Sequence, residues 1–425
     1  MKNILISVLG SSPAVITETL YALIKKGRFP QEAHLFTTSH GKETFERLNV
    51  IETIRAMCND YQQEPILLNN LEFHIAKNAH GEAIEDIRDE ADQVAIADTI
   101  TYVIRDIVGK DHDNTTAIDA SIAGGRKSMS FYMGYIFSMF AREQDNLSHV
   151  LVDMVYEGTD FMYPTVDSKP LTFLYGDNKG KIKKVDGQPL DAKNAINAIE
   201  LAEIPFIRLN NSLRDANDSF VYGGKLSYSE CITAYQLSMK PENIELSVDS
   251  DRLLIEINGS EIPLSPEQLA LYIAVLRDTI SGDFQIFRSD WDNTWGTIEG
   301  RWIKELATFV NYDIEGEPID NFENICDQFD DVYDNVRVST ATKNTVLKKG
   351  VTPSIFDRLI REIKEAIAEK TVGNTFRLCI PTPVSVNAND FHTELPEARK
   401  ETKSKTDKRA AAYGLLLNPR QITLH

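Results

Sequence analysis

Thr116-Ala117-Ile118-Asp119-Ala120-Ser121-Ile122-Ala123-Gly124-Gly125-Arg126-Lys127-Ser128-Met129 decides the fold. It reads as a strand that runs into a glycine turn and then into a helix, which continues through Phe131, Tyr135, Ile136 and Phe140. Two glycines let the backbone approach a ligand with no Cβ in the way. A helix start offers free N–H groups and partial positive charge, and Arg126 and Lys127 add two formal charges there. An anion, above all a phosphodiester, suits such a turn. The stretch resembles the end of a phosphate-binding P-loop only superficially. The first glycine, five residues before the Gly-Lys pair, is missing, and Arg126 separates Gly125 from Lys127. The plainest alternative is a tight strand–helix turn with two solvated charges. Asp119, just inside the strand end, either orients Arg126 or is an ordinary buried aspartate.

Outward from this stretch, strands alternate with helices. Ile4 to Leu9 is an apolar run of the kind buried in a parallel sheet, followed by Gly10-Ser11-Ser12-Pro13 and a helix bearing Val15, Leu20, Leu23 and Ile24. Pro13 suits the first turn of that helix, and Ser11 or Ser12 is placed to cap it. A second strand, Ala33 to Thr38, ends in Thr37-Thr38-Ser39-His40-Gly41, and a helix covers Glu43 to Asn59. Pro65 to Leu68 reads as a third strand, Asp86 to Val108 as a long polar helix, His149 to Val155 as a further strand, and Phe161 to Pro164 as the end of the unit. This order predicts a mostly parallel, Rossmann-like α/β sheet over residues 1–165. Ligands of such sheets bind off the carboxyl ends of the strands. The turns containing Gly10-Ser11-Ser12, Thr37-Thr38-Ser39-His40 and Ser121 to Ser128 are therefore expected at one edge.

Residues 166–220 change character, with turn signals at Asp177 to Gly180 and Asp186-Gly187 and a helical stretch from Ala192 to Leu201; they are read as a linker. From 221 to 425 the rhythm is that of an α+β, winged-helix-like domain. Ile244 to Val248 and Leu253 to Ile257 read as strands, the second ending in an Asn258-Gly259 turn. Ser265-Pro266-Glu267-Gln268 spells a capping box with proline at the first helical position. Helices are expected over Arg301 to Val310 and Pro353 to Ala368, and strands at Phe376 to Ile380 and Tyr413 to Leu417. Asp313 to Asp334 has nine acidic residues and no basic one, and is expected to be an exposed, mobile insertion.

The formal net charge of −19 disfavours non-specific duplex binding, which depends on phosphate neutralisation, but leaves room for a small anion in a local basic pocket. The basic run Arg399, Lys400, Lys403, Lys405, Lys408 and Arg409 suits either a wing touching DNA phosphate or a solvated loop. The helix with Arg358, Arg361 and Lys364 also carries Asp357, Glu362 and Glu365, which argues against a recognition helix, so DNA is disfavoured as a partner. Cys58, Cys231, Cys326 and Cys379 lie far apart without a CxxC pair, and His74 and His80 have no third ligand near in sequence. Neither a disulfide framework nor a metal site is expected, and no cofactor is implied. No run approaches the roughly 18–20 apolar residues of a membrane span. A reduced, cytoplasmic protein fits these features.

Leu9-Gly10-Ser11-Ser12-Pro13 with Thr17-Glu18-Thr19-Leu20, the Thr37-Thr38-Ser39 turn and Ala123-Gly124-Gly125-Arg126-Lys127-Ser128-Met129 together resemble the CRISPR-associated Rossmann-fold (CARF) proteins, and among them the CRISPR-associated ring nucleases. The C-terminal half, at Leu264-Ser265-Pro266 and Tyr413-Gly414-Leu415, is similar to the winged-helix extension often joined to such domains. The resemblance implies a homodimer that binds a cyclic oligoadenylate, typically cyclic tetra-adenylate, and cuts it to end type III CRISPR signalling. It implies catalytic roles for Ser11 or Ser12 and for Lys127 or Arg126. Gly10, Thr37, Thr38, Ser39, His40, Ser121, Gly124, Gly125 and Ser128 would line the ligand. The ring's own 2′-hydroxyl would attack the neighbouring phosphorus without a metal, and the products would be linear with 2′,3′-cyclic phosphate ends. The competing reading is a CARF winged-helix transcriptional regulator that senses the ring without cutting it. An RNA-degrading HEPN domain is disfavoured, because beyond residue 149 only His392 and His425 remain and neither sits in the required helix context.

Overall fold

The computed structural model describes residues 1–111, 113–209, 226–282, 295–333, 336–384 and 412–425. Two compact units emerge: Met1–Ser212 with Leu226–Glu230, and Leu213–Lys225 with Cys231–His425.

The first unit is built on β1 (Lys2–Val8), β2 (Glu32–Thr37), β3 (Leu71–Ile75), β4 (Thr116–Ser121) and β5 (Asn146–Val152). These pair in parallel in the order β3-β2-β1-β4-β5. The sheet is largely parallel, as the alternation of strands and helices predicts. A continuous apolar run belongs at the centre of such a sheet, and β1 is there: Leu5, Ile6 and Val8 are fully buried. Helix α1 (Ala14–Lys25) follows β1, α2 (Ser39–Arg47) and α3 (Val50–Asp60) follow β2, α4 (Glu90–Lys110) precedes β4, and α5 (Lys127–Phe140) follows it. Leu5, Leu9 and Leu35 pack with Ile16, Leu20, Phe45 and Ile54 into one core cluster beneath α1, α2 and α3. Helices α4 and α5 pack on each other, with α4 against β2 and β3 and α5 against β1.

Three readings of this region need correction. Pro65 to Leu68 is not a strand but part of a 3₁₀ turn, Pro65–Asn69, and the third strand is Leu71–Ile75. Its residues alternate apolar and polar (Leu-Glu-Phe-His-Ile), as expected of a half-exposed edge strand rather than a buried one. The expected helix from Glu43 to Asn59 is broken at Asn49, whose φ of 54° cannot continue a right-handed helix. Ala192 to Leu201 is not helical. After the short pair β6 (Lys184–Val185) and β7 (Gln188–Pro189), a 3₁₀ turn at Ala192–Ala195 leads into β8 (Ile199–Glu203). Strand β8 lies antiparallel beside β5, so part of 166–220 closes an edge of the sheet.

The second unit has a four-stranded sheet, β11-β10-β9-β14, made of β9 (Leu246–Asp249), β10 (Leu254–Ile257), β11 (Ser260–Pro263) and β14 (Ile422–Leu424). Asn258 and Gly259, both at positive φ, make the β10–β11 hairpin turn. Helix α6 (Tyr228–Ser238) leads into this unit. Helix α7 (Pro266–Ser281) starts with the expected capping box: Gln268 N–H donates to the Ser265 hydroxyl, and Ser265 N–H donates to the Gln268 side chain. It shares a core with α8 (Trp295–Phe309), α9 (Phe322–Val332), α10 (Thr340–Lys349) and α11 (Pro353–Ala368).

The acidic stretch is not simply an exposed insertion. Phe322, Ile325 and Phe329 of α9 are fully buried, and their three- and four-residue spacing sets the apolar stripe while the acids line the opposite side. Phe376 to Ile380 falls on α12 (Gly373–Cys379), not on a strand; the short pair β12 (Thr382–Val384) and β13 (Ala412–Gly414) follows. The basic run from Arg399 to Arg409, and His392, lie outside the described residues. Among the described residues no helix is long and apolar enough to cross a membrane.

Candidate anion site at the carboxyl edge of the sheet

Because β2, β1 and β4 are adjacent and parallel, their carboxyl ends deliver three turns to one edge. The turns after β1 and β4 meet through their glycines. A Cβ on Gly10 would stand 2.9 Å from the Cα of Gly125. Gly124 has φ +100°, and a Cβ there would stand 2.8 Å from the Val8 carbonyl oxygen. Neither contact tolerates a side chain, so glycine is required for the two turns to touch. The Ser130 hydroxyl braces the second turn, donating to the carbonyls of Ile122 (2.8 Å) and Gly124 (3.3 Å). Sequence reasoning missed Ser130, although a serine in the first turn of a helix behind a glycine turn is a usable signal.

The three helix starts differ. Helix α1 has Pro13 at its N-cap and no side-chain cap. Ser11 and Ser12 therefore do not cap it; both are exposed, and their hydroxyls bond to no described residue. Helix α5 has Arg126 at its N-cap, in extended conformation, and again no side-chain cap. The amides at both starts thus keep no side-chain acceptor of their own. Helix α2 is closed. Thr38 accepts from Gly41 N–H at 3.4 Å, Ser39 N–H donates to the Ile84 carbonyl at 3.0 Å, and His40 N–H donates to that of Glu85 at 3.4 Å. The Ser39 hydroxyl also donates to Ile84 O (3.2 Å), and that of Thr37, fully buried, donates to Leu9 O (2.8 Å). The Thr37 and Ser39 hydroxyls thus brace the turn through backbone carbonyls, whereas the His40 side chain is exposed. Ser121 is likewise fully buried, its hydroxyl accepting from Ala123 N–H at 3.3 Å, and supports the glycine turn from within. Ser128 is half-buried in the first turn of α5.

The two charges also divide. Arg126 forms a two-pronged pair with Asp86, Nε donating to Oδ1 at 2.8 Å and the guanidinium also reaching Oδ2. That bond holds the Asp86 carboxyl down at about 2, so it is ionised at any physiological pH. Asp119 does not orient Arg126. It is buried in β4 with Arg28 at 3.4 Å, and burial raises its carboxyl to about 6. Sequence order could not reveal Asp86 as the partner, because it arrives from the segment after β3. Lys127, exposed at the first position of α5, forms no ion pair with any described residue. Among the described residues, one group of three histidine, cysteine or carboxylate side chains lies close enough to hold an ion: His34, Glu72 and His74. The expectation that no third candidate ligand lies near His74 is therefore corrected: Glu72 is two residues away on the same strand, and strand pairing brings His34 beside both. None of the three belongs to the turns.

The family profile described as CRISPR-associated protein NE0113 matches residues 12–229, just over half of the chain. No curated protein matches. Among solved structures, Enterococcus italicus Csm6 bound to cyclic hexa-2′-fluoro-hexa-dAMP aligns with 86% of this chain and 85% of its own at 13% identity, with a TM-score of 0.28. A likeness of that size carries no argument about this chain.

Proposed function

This chain belongs to the CRISPR-associated NE0113 family, and on that premise we propose that it is a CARF ring nuclease that binds a cyclic oligoadenylate, cyclic tetra-adenylate by preference, at the carboxyl edge of its sheet and cleaves it. The observation that carries this reading is the pair of uncapped helix starts that meet through Gly10 and Gly125, with Lys127 unpaired beside them. Two helix starts and a free ammonium make a site for more than one phosphate oxygen. A cyclic tetranucleotide has four phosphates and approximate two-fold symmetry. A homodimer would offer it two copies of the turn. The face of α5 that follows the turn exposes Phe131 (61%) and Tyr135 (43%), stacked on each other, an apolar surface suited to a second copy.

In this mechanism the ring supplies its own nucleophile, a ribose 2′-hydroxyl. The protein holds the ribose and phosphate in line and stabilises charge on the phosphoryl oxygens. Lys127 Nζ and the amides at the start of α5 do the second task. Ser11 and Ser12, free of capping duty, orient a phosphate or the 2′-hydroxyl. Arg126, fixed by Asp86, shapes the turn and adds a less mobile charge. The 2′-hydroxyl gives its proton to solvent as its oxygen bonds to phosphorus, the bond from phosphorus to the 5′-oxygen breaks, and that leaving oxygen takes a proton from solvent; the products are linear adenylates ending in 2′,3′-cyclic phosphate.

The test is incubation of the purified chain with cyclic tetra-adenylate in EDTA, followed by chromatography. Linear di-adenylates are expected. An intact ring after prolonged incubation with excess protein removes the enzyme reading, and a ring bound but uncut leaves a sensor.

A further inference from the structure

We propose that His34, His74 and Glu72 form a binding site for a divalent transition metal of the zinc class, tying edge strand β3 to β2. The register brings the three together. His34 lies directly opposite Glu72, and Phe36 opposite His74, so all four side chains share one face of the sheet. His34 Nδ1 and His74 Nε2 are 2.8 Å apart, and Glu72 Oε2 lies 3.8 Å from the first and 3.9 Å from the second. Tetrahedral zinc with nitrogen and oxygen bonds near 2.0–2.1 Å needs ligand atoms about 3.3 Å apart. The imidazoles must therefore part by about 0.5 Å and the carboxylate close by a similar amount. Glu72 has the freedom to do so, because its side chain is 64% exposed.

The surroundings orient His34 for this role. Its Nε2–H donates to Glu32 Oε1 at 2.7 Å, and Lys2 in turn holds the Glu32 carboxylate. That bond puts the His34 proton on Nε2 and turns the Nδ1 lone pair toward His74 and Glu72. The same carboxylate–histidine pairing fixes tautomer and ring orientation in histidine metal sites. Without a metal, the His74 Nε2 proton bridges the two rings; a bound ion replaces it. His34 is nearly buried and His74 mostly so, and Phe36 stacks on His74 at 5.1 Å, so two ligands sit against an apolar wall. Solvent completes the fourth position, as expected where one ligand is exposed. Two histidines and a carboxylate suit zinc better than calcium or magnesium, which take oxygen donors.

The full chain, stripped with EDTA and dialysed, should take up one zinc per chain when titrated with zinc chloride, with a rise in Tm. His74→Gln should abolish the stoichiometric uptake. The exposed Glu72→Gln, which leaves the core untouched, should weaken it about tenfold or more. Glu32→Gln should weaken it about 10–100-fold through the orientation of His34. In the cobalt-loaded chain, visible absorption typical of tetrahedral coordination should appear and be lost in His74→Gln. The proposal is overturned if the wild-type chain holds no more zinc than the His34→Gln/His74→Gln double variant, which keeps every other histidine. It is equally overturned if Glu72→Gln and His74→Gln both bind as tightly as the wild type.

Discussion

The turns after β1 and β4 and the turn after β2 lie on one sheet edge, yet they do opposite things. After β2, threonine and serine groups are consumed internally: Thr37 on Leu9, Thr38 on Gly41, Ser39 on Ile84. After β1 the Ser11 and Ser12 hydroxyls bond to no described residue, the helix starts after β1 and β4 carry no side-chain cap, and glycines bring the two backbones together. A small hydroxyl residue at a strand end is thus no sign of ligand contact. What matters is whether the protein itself already supplies its hydrogen-bond partner.

The largest effect that would break this contrast is at Lys127. Lys127→Ala should lower single-turnover ring cleavage by about 10²–10³, beyond any loss of ring binding, as for removal of one transition-state stabiliser. Unchanged cleavage would take Lys127 out of the mechanism and leave the open turn as a binding feature.

Next in size is a stability effect on α1, the helix behind the first open turn. Burial, helped by the Glu157 carboxylate, pushes the Glu18 carboxyl up to about 7. The folded chain therefore keeps a proton that the unfolded chain releases near 4.5, so stability falls as pH rises through that window, and the contribution of this proton is gone above about 7. Glu18→Gln should remove this slope and gain on the order of 3 kcal/mol at pH 9, with little change at pH 4. Denaturant melts across pH would measure it. Equal slopes in both proteins would show that Glu18 is not protonated in the fold.

The smallest effect tests the closed turn. Thr37→Val keeps the shape but leaves Leu9 O without its donor, so about 1 kcal/mol of stability should be lost while cleavage changes only a few-fold. A loss of turnover as deep as that of Lys127→Ala would place Thr37 in the site and collapse the distinction between the turns.

Periodicity located most of the first sheet because buried parallel strands are largely apolar runs, as in Ile4 to Leu9. It failed at the edges. Strand β3 alternates, and β8 lies in a polar segment with turn signals, so Pro65 to Leu68 looked more strand-like than Leu71 to Ile75. In the second unit, counting charges hid the stripe of Phe322, Ile325 and Phe329 among nine acids. The capping box at Ser265 was legible because it is a local motif whose partners are three residues apart.

Local features of the sequence alone determined that a glycine turn with two cations follows a buried strand, and that Ser-Ser and Thr-Thr turns follow two others. Each depends on residues within a few positions of one another. Tertiary structure decided which of those groups are free. It spent Arg126 on Asp86 and Asp119 on Arg28, left Lys127 without an ion pair among the described residues, and set His34 against His74 and Glu72. Those pairings span about 40 residues or more, and strand order and register bring them together. A pattern read along the chain carries no information about such partners until the sheet has formed.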